Sequence, residues 1–398
     1  MLKQIYIILI FLNLTIVKSE KKLALMYGAG NIGRGFIGIL LHQAGYHVTF
    51  VDVISSLVDD INNLKKYNVE IVGDKPEKIL VDDIDAINSE KNNDQLIEAI
   101  TKADIITTAI GPSVLKTIAP TLAKGLKKRI EVNKKPLNII ACENMVAGST
   151  SLKNYVYELL DEDTEDKVDQ FVGFPNAAVD RIVPAQKGKE KLIVQVEPYA
   201  EWDVDEKGFK GELPNIPGMS LVENLEAYIE RKLFSINTGH ASIAYFAYQK
   251  GYTDIAQAMK DPEILDIVRR VWKETGTHLI NKFGFDPISH WKYVETCENR
   301  FKNPYLSDDV TRVARGPKRK ISHKDRLILP AREIIDSGGT PEALASVVAA
   351  ALKYDYKEDK EAMEIQDFIK KNGIENAIVK YTGLEKYTKL FKLIMSYV

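Results

Sequence analysis

The chain has 398 residues, 45% hydrophobic and 28% charged, a composition that suits a folded protein with more than one core and excludes a largely disordered one. Its 54 basic and 56 acidic residues leave a net charge of −2, so no global field gathers nucleic acid or an anionic membrane surface. Cys142 and Cys297 lie far apart with no CxxC or Cys/His spacing, which argues against a disulfide framework and a structural zinc.

In chain order, Lys3 precedes an apolar run from Ile5 to Val17, and Val17-Lys-Ser19 has the outline of a cleavage site. The run is short for a bilayer span. Three readings stand: a mis-assigned upstream start, an appended anchor, or an export signal. Residues 1–20 are set apart from the fold, and a cytoplasmic location is expected without any obligate membrane contact.

Leu23–Tyr27 is an apolar stretch long enough for one buried parallel strand. It enters Gly28-Ala-Gly30-Asn-Ile-Gly33-Arg-Gly35 and then an apolar-periodic segment, Phe36 to Ala44, that reads as a helix. In such a turn Gly28 bends the chain, Gly30 admits backbone close to a pyrophosphate, and Gly33 permits tight helix–strand packing. A second strand, His47–Asp52, ends in an acid placed to accept from both ribose hydroxyls, which favours NAD over NADP. The expected cofactor contacts are Ala24, Leu25, Met26, Tyr27, Gly28, Ala29, Gly30, Asn31, Ile32, Gly33, Arg34 and Gly35, with Asp52. Further strands are predicted at Val69–Val72, Asp104–Thr108, Leu137–Cys142 and Lys191–Val196. Alternation with helices makes residues 21–200 a Rossmann-like, doubly wound α/β domain. Thr108 and the pair Glu143-Asn144 sit at strand ends that face the ligand crevice of such a sheet, and complete the candidate cofactor set.

Residues 197–220, rich in Pro, Gly and acids, read as a linker or irregular excursion. From about Leu221 the periodicity is helical, with candidates at 221–250, 261–283, 322–336, 341–353, 358–371 and 382–397. Residues 201–398 are therefore expected to form a mostly α-helical domain. Thr340-Pro341 reads as an N-cap followed by proline at the first helical position. Trp202, Trp272 and Trp291 are expected to anchor packing.

The stretch KLFSINTGH (232–240) carries most of the chemistry. On an α-helix turning roughly 100° per residue, Asn237 lies roughly 140° and His240 roughly 80° around from Lys232. The three polar groups then form a seam on a helix whose other positions are mostly apolar. Such a seam is costly to bury unless it is satisfied or functional. It supplies an amine that can act as a base, an amide that can hold an oxyanion and an imidazole that can orient a hydroxyl. His42, His47, His278, His290 and His323 have no metal-ligand spacing and are left as structural or surface residues.

The blocks GAGNIGRGFIG (28–38), ACENM (141–145), FPNAAVDRIVP (174–184), KLFSINTGHASIAYFAYQKG (232–251) and RFKNPYLSDDVTRVARGPKRK (300–320), followed by DRL (325–327), resemble the polyol-specific long-chain dehydrogenase/reductase family from about Lys22 to the C-terminus. The resemblance implies metal-free, NAD-dependent, reversible oxidation of D-mannitol 1-phosphate to D-fructose 6-phosphate by a monomer, with Lys232, Asn237 and His240 as the catalytic set. It suggests that Asn176 helps hold the reacting oxygen and that Asp180 contacts polyol hydroxyls; the competing reading is a polar, capping loop. A sugar phosphate also needs a cationic grip, for which Arg312, Arg315 and Arg319 are candidates within a cluster that includes Lys318 and Lys320. Two rivals remain: a relative acting on an unphosphorylated polyol or hexuronate, and a non-catalytic NAD-binding regulator.

Overall fold

The computed structural model describes residues 21–73, 75–183, 192–306 and 308–398. The apolar run 5–17, Pro184 at the end of the third resemblance block, and Lys191 at the start of the last predicted strand lie outside the described residues. Twelve strands occur among the described residues: β1 (Leu23–Tyr27), β2 (His47–Asp52), β3 (Lys66–Ile71), β4 (Glu77–Asp82), β5 (Ile84–Asn88), β6 (Ile105–Thr108), β7 (Leu137–Ala141), β8 (Val172–Gly173), β9 (Ala177–Asp180), β10 (Val194–Val196), β11 (Glu201–Asp205) and β12 (Met219–Val222).

Six of these form the parallel sheet of a Rossmann-type domain, in the order β5-β2-β1-β6-β7-β8. Helices such as Asn93–Lys102 and Leu115–Val132 cover it. β6 and β7 are buried at every residue, as strands covered on both faces must be. The strand order reverses between β1 and β6, and that switch point opens a crevice at their carboxyl ends.

Two expectations are corrected. β3 and β10 were predicted within the doubly wound sheet, but they form a separate sheet ordered β10-β3-β4, with β3 antiparallel to β4. Burial alternates in β3 and nearly vanishes in β4, so neither suits a sheet covered on both sides. Residues 197–220 are no linker: β11 and β12 pair in parallel there, and β11 runs antiparallel to β9. Trp202 on β11 is fully buried and fastens this third sheet to the core.

Beyond β12 the chain is helical. The predicted helix 221–250 starts later, at Leu225, because Leu221 and Val222 end β12; it then contains a π-helical stretch, Leu233–Asn237, between Leu225–Lys232 and Thr238–Gln249. Predicted helix 322–336 begins only at Ile328, and 382–397 breaks at Gly383 (φ +70°) between Ile374–Thr382 and Lys389–Met395. Pro287–Phe301 is a further helix, capped by Asp286, whose side chain accepts from Ser289 N. Thr340-Pro341 does not cap as expected. Pro341 itself occupies the cap position, and Glu274 of the helix Pro262–Phe283 accepts from Ala343 N (2.7 Å) and Leu344 N (2.9 Å). The core gathers around Thr238–Gln249, Pro262–Phe283 and the Ala-rich Glu342–Leu352. Trp272 is buried there and donates Nε1–H to Ser235 O (2.8 Å), whereas Trp291 is 38% exposed and is not the anchor expected. Both cysteines are buried free thiols.

Candidate active site

Three adjoining cavities follow the crevice. The first, about 490 Å³, lies over the glycine turn and is walled by Tyr27, Gly28, Gly30, Asp52 and Val53. Gly28 has φ +94°, and a Cβ there would stand 2.5 Å from Ala109 O. A Cβ on Gly33 would stand 1.8 Å from Gly28 O, whereas one on Gly30 would meet nothing within 4 Å because that position faces the cavity. The turn is therefore packed hard on its protein side and bare toward a ligand. Asp52 clamps it: Oδ2 accepts from Ala29 N (2.8 Å) and Oδ1 from Ile54 N (3.0 Å). Each carboxylate oxygen keeps a lone pair for a further donor.

Not every predicted cofactor contact faces this space. Ala24, Leu25 and Met26 are fully buried in β1, and Met26 Sδ accepts from Thr107 Oγ1 (2.9 Å). The Arg34 guanidinium turns inward to Ala29 O (2.7 Å) and Leu192 O (2.8 Å), and Gly35 backs onto Val194 and Val196. Arg34 therefore braces the turn, and burial lowers its pKa. Ala29 is buried beneath the turn, Asn31 is exposed, and Ile32 lines the next cavity. Thr108 donates to Glu143 Oε1 (2.8 Å), and Glu143 also accepts from Ile110 N (3.0 Å) and Gly111 N (2.8 Å). The pair fixes the β6 loop at the crevice wall.

The second cavity, about 400 Å³, brings Lys232, Asn237 and His240 together with Asn144 and Asp180. The α-helical angles do not carry over, because the wider π turn intervenes between Lys232 and Thr238; such bulges recur at functional sites. Lys232 Nζ donates to Val179 O (2.7 Å) and approaches Asn144 Oδ1 (3.3 Å). Burial lowers its pKa; Asp180 pulls it back up and Arg300 opposes that, and the net direction is down. A neutral amine with two acceptors on its N–H groups keeps its lone pair for a third partner.

His240 stacks on Phe301 (ring centroids 4.7 Å apart) and places Nε2 2.9 Å from Asp308 Oδ2. The oxygen lies off the N–H direction, so Nε2 has no formed hydrogen bond there. Burial pushes the Asp308 carboxyl up, but His240 and Arg312 outweigh burial and hold it below the ordinary value. Asp308 was missed in the sequence, as were Arg300 and Glu197. Arg300 donates to Asp180 (2.6 and 3.0 Å) and to Glu197 (2.7 and 2.8 Å), and its guanidinium lies 4.2 Å from the Tyr199 ring centroid. Asp180 thus lines the cavity with both oxygens already engaged. Asn176 exchanges hydrogen bonds with Thr150 N (3.1 Å) and Oγ1 (2.8 Å) at the start of Gly148–Tyr157, and lies outside the cavity linings.

The third cavity, about 230 Å³, shares Lys232 and Asn237 with the second and contains Arg319, Lys324 and Arg326. The predicted basic cluster divides. Arg319 lines the cavity, Arg312 is bound by Asp308, and Arg315 is exposed and outside all three linings. Lys318 pairs with Glu364 (2.7 Å), and Lys320 is buried with its amine on Arg315 O. Among the described residues no group of three or more His, Cys, Asp or Glu could hold a metal ion, and no helix is long and apolar enough to cross a membrane.

Sheet order, glycine turn and the lysine-bearing cleft together define a Rossmann-type dehydrogenase. The mannitol dehydrogenase Rossmann domain matches residues 22–218 and the mannitol dehydrogenase C-terminal domain residues 224–392, so the chain belongs to the mannitol dehydrogenase family. It is 48% identical over 375 residues to mannitol-1-phosphate 5-dehydrogenase of Oceanobacillus iheyensis, covering 94% of this chain and 97% of that one. It is 46% identical over 373 residues to the Bacillus subtilis enzyme of the same name, covering 94% and 98%. The fold is also that of D-sorbitol dehydrogenase in substrate-free form (TM-score 0.81, 15% identity, 94% and 92% of the two chains). A Pseudomonas fluorescens mannitol 2-dehydrogenase ternary complex with NAD and D-mannitol shares it as well (TM-score 0.71, 17% identity, 95% and 90%).

Proposed function

We propose that this chain catalyses the reversible, NAD-dependent oxidation of D-mannitol 1-phosphate to D-fructose 6-phosphate, with Lys232 as the general base. The observation that carries the reading is a half-buried lysine of lowered pKa in one cavity with Asn237 and His240, beside a glycine turn bare toward a nucleotide-sized space. Kinship to the two named bacillary enzymes supports the substrate. Gly28, Gly30 and Asp52 would hold the dinucleotide, and the Asp52 carboxylate favours a free ribose hydroxyl over a phosphate. When bound, the nicotinamide accepts the hydride.

Neutral Lys232 takes the carbinol proton while Val179 O and Asn144 orient its amine. Asn237 and His240 hydrogen-bond the oxygen as it becomes a ketone, each such donor contributing about 3 kcal/mol in a water-excluded site. In reduction, protonated Lys232 returns the proton. The proton acceptor is an amine, so the reading has no metal step.

Oxidation of NADH, followed by absorbance with fructose 6-phosphate, fructose, fructuronate and tagaturonate, tests this. The expected result is a strong preference for fructose 6-phosphate. Equal rates with the unphosphorylated ketoses would overturn the substrate assignment, and no turnover of any ketose would overturn the enzymatic reading.

A further inference from the structure

The smaller cavity beside Lys232 sorts the basic residues of the C-terminal half by whether their charge is already spent. Arg312 is engaged by Asp308 and Lys318 by Glu364, and the Lys320 amine is turned inward onto Arg315 O. Arg319 and Lys324 are different. Both line the cavity, and neither side chain has an ion-pair or hydrogen-bond partner among the described residues. Arg326 is the third cation of the lining, and Asp325 Oδ1 holds it by accepting from its backbone N (2.7 Å) and Nε (2.8 Å), which leaves the outer edge of the fork free.

The segment carrying these groups is fastened to the reaction site. Thr238, next to Asn237, donates its hydroxyl to Arg326 O (2.7 Å) and lies 2.9 Å from Leu233 O of the π stretch. Loop and catalytic helix are thereby held in one frame. Positive potential is evident beneath the loop, where burial, then Arg326 and Arg319, push the Lys320 ammonium down to about 7.

We propose that Arg319, Lys324 and Arg326 form the seat of the substrate's phosphate monoester, in the cavity that shares Lys232 and Asn237 with the reaction site. The inference rests on the phosphorylated-substrate reading above and names the residues that make that substrate preferred. Three cations against the one carboxylate of Asp325 leave two positive charges for a group carrying about −1.5 to −2. The other carboxylate of the lining, Glu143, is consumed by Thr108 and two backbone N–H groups. Two guanidinium forks and an ammonium provide donors that match phosphate oxygens. A phosphate fixed there leaves the polyol chain to extend toward Lys232, which lines both cavities.

The test compares kcat/KM for fructose 6-phosphate and for fructose in wild type, Arg319→Gln, Lys324→Gln and Lys324→Arg, with inorganic phosphate as a competitive inhibitor. Each charge-removing variant should lower the ratio of the two kcat/KM values roughly 10- to 100-fold, the range for losing a hydrogen bond to a charged group. It should weaken inhibition by inorganic phosphate in parallel, and Lys324→Arg should keep most of the ratio. Arg319 and Lys324 are exposed, so both variants should fold. If the wild type prefers fructose 6-phosphate while both Gln variants keep that preference and the same phosphate inhibition, the seat lies elsewhere and the inference fails. If the wild type itself shows no preference, the functional reading beneath it has failed instead.

Discussion

Replacing Arg300 with methionine tests how the reaction site is held in place. Arg300 is 6% exposed, and its four hydrogen bonds hold two acids that are buried more or less completely, Asp180 at 7% and Glu197 at 1%. Methionine fills part of the volume and supplies no charge, so both carboxylates are left without their partner. Breaking a buried ion pair from one side costs about 3–5 kcal/mol, and the depth of burial leaves little solvent screening to reduce it. Against a total of about 5–15 kcal/mol for a folded domain, that is a large share.

The loss should depend on pH. In the wild type, burial pushes the Asp180 carboxyl up but Arg300 outweighs it, so the folded pKa is depressed. Asp180 therefore contributes stability above its unfolded pKa near ~3.9, and that contribution is lost as pH falls through the lower folded value. In the variant burial is opposed only by the lesser pull of Lys232 and His240, and the folded pKa rises. The destabilisation is then full at pH 8 and shrinks as pH falls toward 5 and the carboxyls take up protons. Urea unfolding at both pH values measures this. A loss below about 1 kcal/mol at pH 8, or one equal at the two pH values, would refute the reasoning. Because β9 supplies both Asp180 and the Val179 carbonyl that receives Lys232, activity should fall with stability.

Three further outcomes follow from the packing. Gly33→Ala puts a methyl 1.8 Å from Gly28 O and should cost stability as well as NADH binding, whereas Gly30→Ala meets nothing within 4 Å and should keep its thermal midpoint while losing NADH affinity; fluorescence titration and thermal melts separate the two. Glu274→Ala removes the acceptor for two N–H groups at the start of Glu342–Leu352 and should cost about 1–2 kcal/mol in urea unfolding without changing KM. Arg315→Ala, outside the cavity linings, should leave kcat/KM for fructose 6-phosphate within about twofold, since surface substitutions that break no contact are usually small.

Local grammar made much of this legible. The glycine turn needs φ > 0 at Gly28 and close backbone approach at Gly33, demands met within a few residues and therefore visible in the chain. The Lys232, Asn237 and His240 set is equally local, and all three line one cavity, although the π turn between them was invisible to an α-helical wheel. What escaped notice depends on distance along the chain. Arg300 meets partners 120 and 103 residues upstream, and His240 meets Asp308 far downstream; no spacing rule announces such pairs. Strands β8 to β12 are two to five residues long, too short for an alternating pattern to emerge. The helix Pro287–Phe301 is another matter: Asp286-Pro287 is a cap followed by proline at the first turn, and that cue was present but not read. Nor does the sequence announce that the Asn176 amide meets Thr150 or that the Arg34 guanidinium meets Ala29 O and Leu192 O.

The account turns on Lys232 shedding its proton below the ordinary lysine value near ~10.4. Its most direct test is the pH dependence of kcat/KM for D-mannitol 1-phosphate oxidation in the wild type and in Lys232→Ala, with NADH affinity measured alongside. A neutral base predicts a rate that rises tenfold per pH unit and levels off clearly below that value, because burial lowers the pKa. It also predicts an alanine variant that binds NADH normally and has lost about 100- to 10,000-fold in rate. A plateau reached only near ~10.4, or an alanine variant within tenfold of wild type, would contradict it.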